Sequence, residues 1–249
     1  MSVKAVRLSI VVPAYNESPR IRRSLDDLCR QLPALTDSWE VRVVDDGSRD
    51  DTARIVSEVA RADSRVVLQR EPHRGKGGAV RAGLLAAEGE LRFMCDADLS
   101  MPVPELRRFL AIVPSECDIA IGSREGLTAR RVGEPGHRHF IGRAFNTIVR
   151  VIAVPGIRDT QCGFKLFTAA AAEAICPLMT IDGWAFDIEM LLIAKRLGLR
   201  IVELPIEWHY REHSQLLPIR DSYRMGRDVL RIRAKALAGA YDRRKKSGS

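Results

Sequence analysis

With 249 residues, 46% of them hydrophobic, the chain can bury a sizeable core, and its length admits one domain or two. The 40 Lys and Arg against 32 Asp and Glu leave a net charge of +8 and a pI near 9.6, which favours an anionic partner: nucleic acid, acidic lipid headgroups or a phosphorylated substrate. Five cysteines, an odd number with no C-x-x-C pair, speak against a disulfide framework and a zinc site and fit a reduced cytosolic setting. Met1 to Arg7 run into a strand without a long apolar stretch, so no signal peptide is expected. The most apolar segment, Ile148 to Ile157, is short and carries Arg150, so no transmembrane span is expected either.

In chain order, Leu8–Val12 reads as a buried strand closed by Pro13, and a helix follows from about Pro19 to Leu32. Val41–Val44 repeats the strand pattern, ends in Asp45-Asp46-Gly47-Ser48, and is followed by a helix from Thr52 to about Ala60. Val66–Leu68 is a third strand, and Gly75-Lys76-Gly77-Gly78 opens a helix to Ala87. Leu91–Cys95 is the fourth strand and empties into Asp96-Ala97-Asp98. This alternation predicts a mostly parallel central sheet with helices on its faces. Beyond it the pattern predicts a helix from Pro102 to Ile112, a strand over Asp118–Ile121, a loop from Glu125 to Gly136, and a helix over Phe140–Ile152. A short strand at Phe164–Phe167, helices from Thr168 and from Trp184 to Leu197, and a late strand at Arg200–Pro205 come next. A basic amphipathic helix spans Asp221–Tyr241, with Met225, Val229, Ile232 and Leu237 on its apolar side. One compact domain (1–220) with a carboxy-terminal extension (221–249) is expected, its last residues, Arg243–Lys246, disordered.

Asp96 and Asp98, placed at the carboxyl edge of the sheet where open α/β folds keep their ligands, suit a hard cation such as Mg²⁺ or Mn²⁺, which needs only one or two carboxylates plus substrate phosphates. Such a pair is also common in caps and solvated turns. The first strand is followed by no G-x-G-x-x-G, which excludes a nicotinamide site, and Gly75–Gly78 lacks P-loop spacing. Those glycines either present N–H groups and Lys76 to a phosphate or base, or simply make a tight turn. Asp45 and Asp46 are either helix caps or acceptors for a base and ribose.

In this order, Val11–Glu17, Val44–Thr52 and Asp96-Ala97-Asp98 resemble three signatures of the inverting family 2 glycosyltransferases of GT-A fold, a Rossmann-like architecture. The resemblance implies that Pro13, Ala14, Tyr15, Glu17, Asp45, Asp46, Lys76, Asp96 and Ala97 cradle a nucleotide, and that Asp96 and Asp98 hold the metal. Gly75–Arg81, Arg158–Phe167 and Trp184–Glu189 look most like dolichyl-phosphate β-glucosyltransferases, and Gly122-Ser123-Arg124 is shared with the related dolichyl-phosphate mannose synthases. The match runs over about residues 8–237. One departure stands out: relatives carry Ser-Lys in the loop that closes over the diphosphate, where this chain has Ser214-Gln215, with Arg211 and His213 nearby.

The implied reaction moves a hexose from a UDP-sugar to polyprenyl or dolichyl monophosphate, giving a β-linked product. Asp98, Arg124, Asp159 and Asp187 are its candidate catalytic residues, the two last equally suited to helix capping. Arg124, Arg138 and Arg143 are candidates to clamp the acceptor phosphate, and Arg211 and Ser214 to close on the diphosphate. The helices at 140–152 and 221–241 read either as interfacial or as ordinary core helices; a lipid acceptor favours peripheral attachment to the cytoplasmic face of a membrane, with a separate transmembrane partner protein. The alternatives are a GDP-mannose-dependent synthase, a transferase acting on a soluble glycan, and a catalytically silent nucleotide-binding scaffold. Nucleic-acid binding rests on pI alone, with no reader motif.

Overall fold

The computed structural model describes residues 5–133, 153–210 and 218–242, the last segment with side chains from 224 onward. Strands dominated by apolar residues are covered on both faces. β1 (Leu8–Ala14) and β2 (Trp39–Asp45) are buried along their whole length. Polar residues inside them pair with one another: Ser9 Oγ donates to Glu40 at 2.6 Å, and Arg42 Nη2 to Glu40 at 3.0 Å. Side chains alternate across the sheet. Leu8, Ile10 and Val12 join the core under α1 (Ile21–Gln31) and α2 (Thr52–Ala62), while Val11 and Val44 face the core under α3 (Lys76–Ala86).

The remaining elements are β3 (Val66–Arg70), β4 (Leu91–Met94), α4 (Leu106–Ile112), β5 (Ile119–Ser123), β6 (Arg130–Val132), β7 (Lys165–Thr168), α5 (Ala169–Ile175), α6 (Phe186–Arg196), β8 (Ile201–Pro205), β9 (Glu207–His209) and α7 (Pro218–Leu237). The main sheet runs β3-β2-β1-β4-β7-β5-β8. The chain winds outward from β1 to β3 and returns to place β4 beside β1, so a topological switch point lies between the carboxyl ends of β1 and β4. The segments holding Tyr15–Glu17 and Asp96–Asp98 leave the sheet at that crevice.

Three features depart from the sequence reading. β7 runs antiparallel between β4 and β5, which puts its first residue, Lys165, opposite Met94 at the very edge from which Asp96 emerges. The segment read as loop contains β6, which pairs with β9 in a separate two-stranded sheet. The stripe on the tail helix is divided: Met225, Val229 and Ile232 are buried, with Val229, Ile232, Ala236 and Tyr241 joining the α3–α5–α6 core, whereas Leu237 is 72% exposed. No helix among the described residues is long and apolar enough to cross a membrane. The predicted helix at Phe140–Ile152 and the tail end at Arg243–Lys246 lie outside the described residues.

Candidate active site

The loop after β1 is held in place by the loop after β2. Asn16 N donates to Ser48 Oγ at 2.9 Å, Glu17 N to Thr52 Oγ1 at 2.8 Å, and Ser18 N to Asp50 Oδ2 at 3.1 Å. Burial pushes Asp50 up, but its hydrogen bonds from Thr52 and Ser18 prevail and hold it at about 2. Asp45 is buried and accepts from Ser48 N. Asp46 shapes the turn before α3: Oδ1 accepts from Arg74 N at 2.8 Å and Oδ2 from Gly75 N at 2.9 Å, with His73 Nδ1 2.8 Å from the same oxygen. Pro13, Ala14 and Ala97 are buried, so what they offer a ligand is backbone.

That turn delivers Lys76 to the carboxylates. Its Nζ donates to Asp96 Oδ1 at 2.5 Å and lies 5.5 Å from the Trp184 ring. The N–H groups of Gly77 and Gly78 donate to the Asp182 carbonyl, so they are engaged within the protein; the lysine alone of this motif reaches the site. Gly163 passes against Asp96 so closely that a Cβ there would collide with the carboxylate.

The two acids of Asp96-Ala97-Asp98 are driven in opposite directions. Burial would raise Asp96, but Lys76, with Lys165 and Arg124 behind it, holds it below the ordinary carboxylate value. Asp98 is raised by burial and by the charge of Asp96, against the bond it accepts from Ser100 N at 3.0 Å. Glu17, its side chain 15% exposed, is pushed to about 7, first by burial and then by Asp98 and Asp96, although Arg20 Nε lies 2.6 Å away. A group with a raised folded pKa binds protons that the unfolded chain releases, so its charge costs stability as pH climbs from 4.5 to about 7. Glu17→Gln is therefore expected to stabilise the metal-free protein above pH 7 by up to roughly 3 kcal/mol, with the difference vanishing below about pH 4.5. Urea melts across pH check it; a constant difference at all pH values contradicts it.

Asp159 and Asp187 are both committed to cations. Arg124 Nε and Nη2 meet the two oxygens of the fully buried Asp159 at 2.7 and 2.9 Å, and Arg124 N adds a third bond at 2.9 Å. The fork expected to clamp an acceptor phosphate is thus closed on a carboxylate, because Asp159 has no other way to be solvated. Asp187 is paired with the fully buried Lys165, which also donates to the Cys162 carbonyl at 2.5 Å. Burial raises Asp187 even so. Both oxygens of Asp159 are thus engaged by Arg124, while Lys165 is bonded to Oδ1 of Asp187. Arg138, Arg143, Arg211 and Ser214, together with His213 and Gln215, lie outside the described residues.

A further buried acid, Glu189, was not singled out from sequence. It accepts from Thr180 N, Thr180 Oγ1, Ile181 N and Tyr241 Oη at 2.6 to 2.8 Å, tying the end of the described chain to the loop that caps the Lys76 turn. A cavity of about 810 Å³ opens beside Asp98, bounded by Asn16, Arg20, Arg23, Met101 and His209.

The donor set fits a divalent cation in one manner only. Among the described residues no group of three or more His, Cys, Asp and Glu side chains could form an all-protein cage. Asp96 and Asp98 are instead two hard oxygen donors one residue apart, and burial together with the charge of Asp96 raises Asp98. That suits an ion shared with substrate phosphates.

Residues 9–175 match the sequence profile of Glycosyl transferase family 2. The chain is 38% identical over 250 residues to the dolichyl-phosphate beta-glucosyltransferase of Mus musculus, covering 94% of this chain and 77% of that protein. It is 36% identical over 252 residues to the one of Homo sapiens, with the same coverage. Glucosyl-3-phosphoglycerate synthase from Mycobacterium tuberculosis, solved with Mn²⁺, uridine diphosphate and phosphoglyceric acid, superposes with a TM-score of 0.64 at 22% identity, over 98% of this chain and 82% of that one, and shares its fold.

Proposed function

The chain belongs to glycosyl transferase family 2, and from that premise we propose that it transfers glucose from UDP-glucose to a polyprenyl or dolichyl monophosphate with inversion, giving a β-linked lipid phosphate sugar. Its relatives' activity supports glucose and a lipid phosphate. The observation that carries the reading is convergence: residues 158–167 and 184–189, remote in sequence from Asp96, meet at it through Gly163, Lys165 and Asp187.

In this reading Tyr15, Asp45 and the backbone of Pro13, Ala14 and Ala97 line the nucleoside, and Lys76 neutralises the diphosphate as it neutralises Asp96. Asp96 and Asp98 would hold Mg²⁺ or Mn²⁺, which when bound would supply Lewis acidity to the oxygen that departs with the diphosphate. Asp46, Asp159 and Asp187 position loops and cations. No strong base is needed, because a phosphate monoester with a second pKa near 6 is already largely dianionic at neutral pH. It needs orientation behind the anomeric carbon, so that in-line attack inverts it. Arg138 and Arg143 are proposed for that task, and Arg211 and Ser214 for closing on the diphosphate. A panel of UDP- and GDP-sugars with polyprenyl phosphate tests the donor: UDP-glucose is expected to be used best, and preferential use of GDP-mannose would replace this reading.

A lipid acceptor requires contact with a bilayer. The outward side of α7 supports it: Leu230 and Leu237, 64% and 72% exposed and seven residues apart, share a side with exposed Arg227, Arg231 and Arg233 around them. The protein is expected to sediment with anionic vesicles at low salt, and to do so far less at high salt or as the double variant Leu230→Glu, Leu237→Glu. Absence of binding at low salt would remove the membrane from the account.

A further inference from the structure

Two aromatic rings lie face to face beside the nucleotide end of the site. Tyr15, from the loop after β1, and His73, from the segment between β3 and α3, have centroids 4.2 Å apart and planes 19° apart. His73 is fixed from further sides, its ring by Asp46 and its backbone by Gly47. Its Nδ1 is 2.8 Å from Asp46 Oδ2 and 3.0 Å from the Asp46 carbonyl oxygen. Gly47, at φ 70°, passes so close that a Cβ there would lie 2.9 Å from His73 N and 3.1 Å from His73 Cβ. Yet the His73 side chain remains 53% exposed. A ring held at a set angle by a neighbouring ring, a carboxylate and the backbone, with half its surface left to solvent, is a preorganised stacking surface.

We propose that His73 is a further binding residue for the donor's nucleobase: stacked on Tyr15, it completes a two-ring platform on whose open face the uracil stacks. The inference rests on the reading of the donor as a UDP-sugar. The two features of His73 separate by substitution. His73→Phe keeps a ring and loses the bond to Asp46, His73→Asn keeps a polar group for Asp46 and loses the ring, and His73→Ala loses both.

The test is calorimetric titration of UDP, and separately of pyrophosphate, into the parent and the three variants in the presence of Mn²⁺, with thermal melts to confirm folding. UDP is expected to bind the Phe variant within about threefold of the parent, and the Asn and Ala variants roughly tenfold or more weakly, in line with base stacking on an aromatic ring. Pyrophosphate, which has no base, is expected to bind all four alike. UDP binding the Asn variant as tightly as the parent, or the Phe variant as weakly as the Ala variant, would overturn the platform. So would pyrophosphate weakening in step with UDP, which would mark His73 as a mere pin for the Lys76 turn. A parent that binds pyrophosphate but gains nothing from the uridine overturns the donor reading, and the platform with it.

Discussion

Asp98→Asn is expected to lower glucosyl transfer by about a thousandfold or more while leaving the metal-free protein as stable as the parent, or more so. The loss follows from the several kcal/mol that a divalent ion held at Asp96 and Asp98 would give to charge developing on a leaving phosphate oxygen, at about tenfold in rate per 1.4 kcal/mol. The stability follows from the raised Asp98, whose charge burial and Asp96 disfavour in the folded state. Asn keeps an oxygen for the bond from Ser100 N and removes that repulsion. Asp96→Asn is expected to abolish transfer equally but to destabilise the fold, because Asp96 is held below its ordinary pKa by Lys76 and its loss strands a lysine. Initial rates and urea midpoints of the two variants separate these effects. Substantial activity in both variants removes the metal from Asp96 and Asp98, and equal destabilisation of both contradicts the opposed electrostatics.

Lys165→Met is expected to destabilise the protein by about 3–5 kcal/mol, the usual cost of breaking a buried ion pair from one side. For a chain of this size that lowers Tm by roughly 10 °C. Lys165 is fully buried, so its removal leaves the Asp187 charge without its partner inside the core, close enough to Asp96 to be felt there. Adding Asp187→Leu is expected to restore much of the loss, since replacing both partners by apolar groups is commonly near neutral. The Asp187→Leu single variant completes the cycle, and additive losses would show that the two residues are not coupled.

The strand–helix alternation through Leu91–Met94 was legible because each of these strands is a short segment dominated by apolar, mostly β-branched or aromatic residues, and each helix begins at a turn signal. The carboxylates at the strand ends and Lys76 were legible for the same reason: a parallel sheet sends every loop of one kind to one edge. The direction of β7 was not, since an apolar run of four residues carries no mark of parallel or antiparallel pairing. That direction is what sets Lys165 beside Asp96. A lysine inside the apolar run Phe164–Phe167 was the available signal, because a buried ammonium demands a partner. Arg124, Asp159 and Asp187 were read as candidates to face a substrate, the two acids equally as helix caps; in the structure Arg124 pairs with Asp159 and Lys165 with Asp187. Sequence lists which charges are present, whereas their mutual neutralisation depends on contacts between segments 22 to 35 residues apart. His73 carried no motif, and its interest comes only from the ring stacked on it. On the tail helix, the period identified an amphipathic element but not which apolar positions the core would take.

The most direct measurement of the central claim is incubation of the intact protein with UDP-[¹⁴C]glucose, Mn²⁺ and polyprenyl phosphate in detergent, counting label in the organic phase and assigning the anomer by NMR. The predicted result is a polyprenyl-phosphate-dependent, β-linked glucosyl phosphate lipid that is absent with Asp98→Asn. A protein that binds UDP yet yields no lipid-extractable sugar, or one that yields the α anomer, would contradict the account.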